Sequence, residues 1–314
     1  MRVLTLFLIL LSFLSLWAGP GLSWADWQKA GWIQAENLIE CSGMDTSTTD
    51  EDLLWAVNDG GNGPFLFALG ADGRDRGRVR ILGAVNRDWE ALATFRWKDR
   101  SMVLIADFGD NQQQHTTHTL YVLEEPQLEG ETVSDSMAVP TKWRMIFSYP
   151  DGKHDAEGVA VDPIGGRVFI LTKRDDPPIL FGLPFDPPFG STPVLAQKIA
   201  TVEQIPQPTA EDLRYPYGHV RSQPTGMDLT ADGLSMTILT YKHAYLYRRL
   251  SKRSWAATLG GPPIPIQLPL PQNNRDLKQR EAVCFSASEA SIYVTSEGRN
   301  AGLYRLQIVH TDGQ

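Results

Sequence analysis

Residues 155–176, DAEGVAVDPIGGRVFILTKRDD, read as two apolar strands joined by a tight turn, with Pro163-Ile164-Gly165-Gly166 between Gly158–Val161 and Val168–Leu171. A proline and a glycine pair between two aliphatic runs are turn chemistry. Glu157 stands at the start of the first strand, directly against Gly158, Val159 and Val161. A carboxylate at the mouth of a buried strand is costly unless something meets it. The chain repeats this arrangement, and the repeat is what decides the fold.

Aligning the chain with itself superposes five starts: Ser42-Gly43-Met44-Asp45, Glu90-Ala91-Leu92-Ala93, Glu157-Gly158-Val159-Ala160, Thr225-Gly226-Met227-Asp228 and Glu281-Ala282-Val283-Cys284. Each has an oxygen-bearing side chain, then Gly or Ala, then an aliphatic residue. A second strand follows each start: LLWAVNDGG (53–61), MVLIADFGDN (102–111), RVFILTKRDD (167–176), SMTILTYKH (235–243) and SIYVTSEGRN (291–300). Third strands follow at FLFAL (65–69), TLYVL (119–123), ILFGL (179–183), AYLYRR (244–249) and GLYRL (302–306). A more polar fourth strand comes next in four units, as in RVRIL (78–82) and KWRMIFSY (142–149).

Four-stranded units repeated around an axis make an all-β, five-bladed β-propeller. The last unit runs out of chain near Val309, so an N-terminal strand, taken from GWIQAENLIE (31–40), is expected to complete the last blade and close the ring. A six-bladed ring is the alternative. Residues 190–222 are long enough for it, and Pro206, Pro208 and Pro216 argue for a loop there.

The first strand of each blade lines the central channel, so Ser42, Glu90, Glu157, Thr225 and Glu281 are expected to converge on the axis. Three carboxylates in a narrow channel repel one another and need a compensating charge. Oxygen donors without His or Cys select calcium or magnesium over zinc, and a wide ring suits calcium. The alternatives are hydrogen bonds from inner-strand amides and water, or neutralisation by an arginine such as Arg280.

On these five residues the chain resembles the calcium-activated nucleotidase (apyrase) family, five-bladed propellers with a Ser, Glu, Glu, Ser, Glu calcium ring. Thr225 stands where that family has serine. The family's Asp-Asp-Arg-Thr-Gly stretch after the second strand of the first blade is replaced by Asn58-Asp59-Gly60-Gly61. The blocks LLWAVNDGG, DWEALA, ADFGDN and PTGMDLTADG are similar to a group of exported bacterial propeller proteins labelled esterase-like or phytase-like.

Loops after the second strands share one end of the ring and supply the candidate catalytic residues Asp59, Asp107, Lys173, Arg174, Lys242, Glu297 and Arg299. Asn58, Asp110, Asn111, Tyr241 and Asn300 lie in the same loops. Mixed acids and bases around a calcium floor suit a hydrolase of phosphate esters or related anionic substrates. The alternative is a non-enzymatic module that grips a protein or glycan, with calcium only rigidifying the channel. No Gly-x-Ser-x-Gly elbow or phosphate-binding glycine loop is present.

Residues 1–25 have a basic start, an apolar run from Val3 to Trp17 and small residues at Ser23 and Ala25, which is the pattern of a secretory signal peptide. A retained membrane anchor is the other reading. Residues 26–314 are then a single propeller domain, periplasmic or secreted and expected to be monomeric. A net charge of −8 without a basic block argues against nucleic acid as a partner. The repeat sets Cys284 opposite Asp45 and Cys41 opposite Arg280, an offset of about 13 Å along a strand that argues against a disulfide. His115 and His118 sit in a polar loop without zinc-like spacing to cysteine.

Overall fold

A computed structural model describes residues 22–128, 130–134, 136–185, 192–269 and 279–310. Five sheets form five blades whose main strands run antiparallel, with Ala138–Pro140 and Val194–Leu195 added in parallel at the outer edges of two of them. Blade 1 is built from Cys41–Thr46, Leu53–Asn58, Phe65–Gly70 and Asp75–Leu82. Blade 2 comprises Trp89–Trp97, Arg100–Asp107, His118–Glu124 and Trp143–Ser148. Blade 3 runs through Ala156–Asp162, Arg167–Thr172, Ile179–Pro184 and Gln197–Thr201. Blade 4 runs through Pro224–Leu229, Ser235–Thr240, His243–Arg248 and Ile264–Gln267.

Blade 5 has Arg280–Phe285, Ser291–Ser296 and Gly302–His310, and its outer strand comes from the other end of the chain. The closing strand is Gln28–Trp32, paired antiparallel with Gly302–Arg305. Leu22–Trp24 continues along the same strand to His310. This corrects the expected closing strand at 31–40, which overlaps the observed one only at Gly31 and Trp32. The reason is packing: Ile33, Ala35 and Leu38 are buried between blades 1 and 5, where they lead the chain inward to Cys41.

The ring closes through apolar clusters between neighbouring blades. Phe95, Phe147 and Phe181 join blades 2 and 3, Trp55 and Trp89 join 1 and 2, and Met44, Ala282 and Tyr293 join 1 and 5. Phe169, Met227 and Tyr245 join blades 3 and 4, and Leu246, Val283 and Tyr304 join 4 and 5. Fully burying one such side chain stabilises by about 1.5–3 kcal/mol. The stretch 192–222 contributes only Val194–Leu195, the outer strand of blade 3 and two short 3-10 turns, Asp212–Arg214 and Gly218–Val220. It is not a sixth blade.

The 155–176 hairpin forms as read. Asp162 Oδ1 accepts a hydrogen bond from Gly165 N at 2.7 Å, and Gly166 takes the left-handed φ of 65° that turns the chain into its second strand. Cys41 and Cys284 are buried free thiols. Among the described residues no helix is long and apolar enough to cross a membrane.

Candidate functional site

All five inner strands break register at the same place. The pairing skips between Cys41 and Gly43, Trp89 and Ala91, Ala156 and Gly158, Pro224 and Gly226, and Arg280 and Ala282. The skipped residues are Ser42, Glu90, Glu157, Thr225 and Glu281. A bulged residue leaves the ladder and its side chain is re-aimed. All five are buried.

The two hydroxyl members tie neighbouring blades. Ser42 Oγ donates to Trp89 O at 2.9 Å, and Thr225 Oγ1 donates to Arg280 O at 2.6 Å, the equivalent carbonyl one blade along from each. Three residues further in, Asp45 accepts from Thr94 N at 2.6 Å and Asp228 from Phe285 N at 2.7 Å, again between equivalent positions. Blades 1 and 4 thus clasp blades 2 and 5 in the same manner.

The three glutamates are compensated differently. Glu157 Oε1 accepts from Lys173 Nζ at 2.5 Å, while its Oε2 is buried without a hydrogen-bond partner. This supplies a compensating charge for the carboxylates, and it comes from Lys173 rather than Arg280. Arg280 turns away, donating to Tyr241 O and Pro269 O. Glu281 Oε1 accepts from the Tyr241 hydroxyl at 2.7 Å. Glu90 makes no hydrogen bond through its carboxylate to any described residue; it lies with Asp59 and Asp88, each presenting an oxygen within 4.8 Å of the others.

Burial dominates the electrostatics. It pushes Glu157 up to about 8, with Lys173 pulling the other way. Burial and then the Glu157 charge hold Glu90 well above the usual carboxylate range. Burial and then Asp59 raise Asp88 to about 7, and burial with a hydrogen bond to Glu281 raises Glu297 to about 9. Burial opposes the charge on Lys173, but Glu157, Tyr241 and Glu281 outweigh it and raise its pKa.

Of the seven rim candidates, Asp59, Lys173 and Glu297 reach the ring. Asp107 is buried, its Oδ1 accepting from Asp88 N at 2.8 Å. Arg174 pairs with Asp155 at 2.7 Å. Lys242 pairs with Asp212 in the loop between blades 3 and 4, and exposed Arg299 donates to Glu36 O. Asn58 is committed to the backbone of Asn37, Ile39 and Glu40. Asp110 is committed to the amides of Gln114 and His115.

A second set was missed. Two residues before each bulge stand Glu40, Asp88, Asp155, Gln223 and Gln279, all bearing a carboxylate or amide oxygen. Each stands in the loop just ahead of its inner strand, and the same self-alignment, shifted by two, would have found them. Asp88-Trp89-Glu90 and Asp155-Ala156-Glu157 are the two acidic pairs among them. A separate groove of about 470 Å³, lined by Lys29, Asp52, Asp72, Arg74 and Ser288 among others, lies by the turns at the opposite end of the inner strands.

No family model and no curated protein matches the chain. Among solved structures it is similar to a gluconolactonase from Xanthomonas campestris, at 12% identity over 82% of this chain and 69% of that one, with a TM-score of 0.42. A luciferin-regenerating enzyme is similar at 10% identity over 92% and 95% of the two chains, TM-score 0.41. A chain of a nidogen–laminin complex is similar at 11% identity over 88% and 87%, TM-score 0.43.

Proposed function

We propose that this protein holds a divalent cation, calcium, at the mouth of its channel and hydrolyses phosphate esters or related small anionic substrates there, in the periplasm or outside the cell. The observation that carries the reading is the placement of an oxygen-bearing residue at the bulge of every blade. Glu90, Glu157 and Glu281 are crowded further by Asp59, Asp88 and Glu297, with Lys173 as the ammonium among them. Carboxylates this close require protons or a cation. Ser42, Glu90, Glu157, Thr225 and Glu281 are the residues that would hold it, all hard oxygen donors.

When bound, calcium would supply positive charge against the developing charge of an ester oxygen. The chain supplies the rest. Ser42 and Thr225 have committed their hydrogens to carbonyls and can offer only lone pairs. Lys173 orients Glu157 and adds positive charge for an anionic substrate. Burial and its hydrogen bond to Glu281 raise Glu297 to about 9 in the metal-free protein, which makes it the candidate proton donor to a leaving oxygen. The test is a panel of phosphate mono- and diesters with calcium or with a chelator. Release only with calcium, lost in Glu157→Gln, is the expected result. A protein with stoichiometric calcium that leaves the whole panel intact overturns hydrolysis.

One observation favours a binding module instead. The loop between blades 3 and 4, pinned by the Lys242–Asp212 ion pair, exposes Leu213, Tyr215 and Tyr217, the last 77% accessible. Exposed aromatics on a rim are the groups that grip glycans or proteins. In that case removing calcium lowers the melting temperature and no activity is lost.

A further inference from the structure

The basic side chains around the mouth are not compensated alike. On blade 3, Lys173 has Glu157 and Arg174 has Asp155, one acid for each cation. Between blades 4 and 5, three cations share one acid. Lys242 donates to Asp212 Oδ2 at 2.5 Å and Arg221 Nε lies 3.2 Å from Asp212 Oδ1, while Arg280 gives its terminal nitrogens to the carbonyls of Tyr241 and Pro269 and pairs with no acid among the described residues. Burial and then the neighbouring Arg221 charge pull Arg280 down to about 10, so it stays protonated at neutral pH.

Asp212 is already fully engaged. It also accepts from Thr209 N at 2.8 Å and Thr209 Oγ1 at 2.7 Å. Burial works against its charge, but the bonds from Lys242 and Thr209 outweigh it and hold its pKa below the usual carboxylate range. Three cations against one full anion leave two positive charges in excess, in a chain whose net charge is −8.

Unmet donors accompany the excess charge. Lys242 Nζ carries three N–H groups and makes one bond, and Arg221 Nε and Arg280 Nε make none. His243 lies among the same three cations with a buried, unpartnered Nδ1; burial and then Lys242, Arg280 and Arg221 lower its pKa, so the ring adds no fourth charge. Buried polar groups are ordinarily paired. Several unmet nitrogens around one excess of positive charge call for an acceptor from outside the chain.

The cluster adjoins the ring through Tyr241. Its carbonyl accepts from Arg280 NH1 at 2.7 Å, and its hydroxyl donates to Glu281 Oε1 at 2.7 Å.

We propose that Arg221 and Lys242, backed by the buried charge of Arg280, form a subsite for an oxyanion, the phosphate or carboxylate group of a small ligand, beside the channel mouth. Arg221 offers a planar fork and Lys242 a point charge, the two usual ways of holding such a group. Their side chains are 38% and 26% accessible, so an ion from solvent reaches them with the loop in place. Asp212 is the internal anion of this subsite and competes for the same two cations. The inference rests on the reading of an anionic substrate and names the residues that hold its charge, none of them a channel cation ligand.

Titration of the chelator-stripped protein with inorganic phosphate and, separately, with succinate tests it, read by calorimetry and by the His243 imidazole resonance. Stripping the metal keeps a channel cation from binding the probe. The parent is expected to bind, the tighter probe identifying the oxyanion, and the bound anion moves the His243 titration to higher pH. Arg221→Gln and Lys242→Met are each expected to weaken binding about tenfold or more, the loss of one charged hydrogen bond. Asp212→Asn removes the competing charge and is expected to tighten binding, which a purely structural role for the cluster does not produce. Arg248→Gln, at the far end of the third strand of blade 4, leaves affinity at the parent value. Failure of the metal-free parent to bind either probe overturns the subsite, as does unchanged affinity in both Arg221→Gln and Lys242→Met. Binding that appears only with added calcium belongs to the channel cation, so the subsite falls and the hydrolase reading stands. Binding that follows these variants in a protein that leaves the ester panel intact does the reverse.

Discussion

Tyr241 of blade 4 donates its phenolic hydrogen to Glu281 Oε1 of blade 5 at 2.7 Å, while the Lys173 ammonium lies 5.5 Å from the centre of the same ring. One side chain thus joins the acid of one blade to the cation of another. Burial and then the Glu281 charge keep the phenol protonated far beyond its ordinary range, so this donor persists at any working pH. Tyr241→Phe removes it and leaves a buried carboxylate oxygen short of a partner. The expected cost is about 1–3 kcal/mol in urea unfolding, smaller with saturating calcium if the cation stands in for the lost donor.

Lys173→Met breaks a pair in which both side chains are buried. Removing one partner of such a pair costs about 3–5 kcal/mol, because the other charge is left uncompensated. The double variant with Glu157→Gln is expected to recover most of the loss. Denaturant unfolding of the cycle at pH 8 measures it, and a double variant no more stable than the single one contradicts the pairing.

The pH dependence follows from the raised carboxylates. Glu157 at about 8, Glu297 at about 9, and Asp88 and Asp228 at about 7 each hold a proton in the fold more tightly than in the unfolded chain. Between the unfolded carboxylate range and these values the native state binds more protons, so stability falls as pH rises. Lys173, also raised, acts only above its unfolded value near 10.5 and leaves this window untouched. The metal-free melting temperature is expected to decline from about pH 4 to about pH 9, and calcium is expected to flatten the decline. A melting temperature that climbs with pH across this range without metal contradicts the assignment.

The closing strand makes the N-terminus testable. If a signal peptide is cleaved after Ala25, Leu22–Trp24 is lost and Gln28–Trp32 is retained, so a chain beginning at Asp26 is expected to fold as a monomer. A chain beginning at Ile33 exposes the edge of Gly302–His310 and is expected to self-associate. Light scattering of the two chains, with N-terminal sequencing of the protein recovered from cells and from the medium, checks both points.

The blades are legible in the sequence because a propeller reuses one geometry, so a short motif such as Glu157-Gly158-Val159 is amplified by recurrence. The register of its oxygen-bearing residues is legible for the same reason. Side-chain direction beyond a strand end is not. Lys173 and Lys242 occupy similar loop positions, yet one turns to Glu157 and the other to Asp212, and only the packed loop between blades 3 and 4 decides between them. The closing strand is obscured because Gln28–Trp32 has weak alternation of its own and takes its register from the free edge it meets. Asp88 lies just ahead of the strand that begins at Trp89, outside the repeated start aligned on Glu90, so the alignment passes over it.

A residue that has left the ladder carries no share of strand pairing, so exchanging it disturbs the side-chain contact it makes and not the ladder of its blade. Ser42, Glu90, Glu157, Thr225 and Glu281 are five equivalent sockets in one frame, which this chain has filled with two hydroxyls and three acids, four of them tied to a neighbour. Refilling them one at a time offers a route to new chemistries at the mouth without redesigning the propeller.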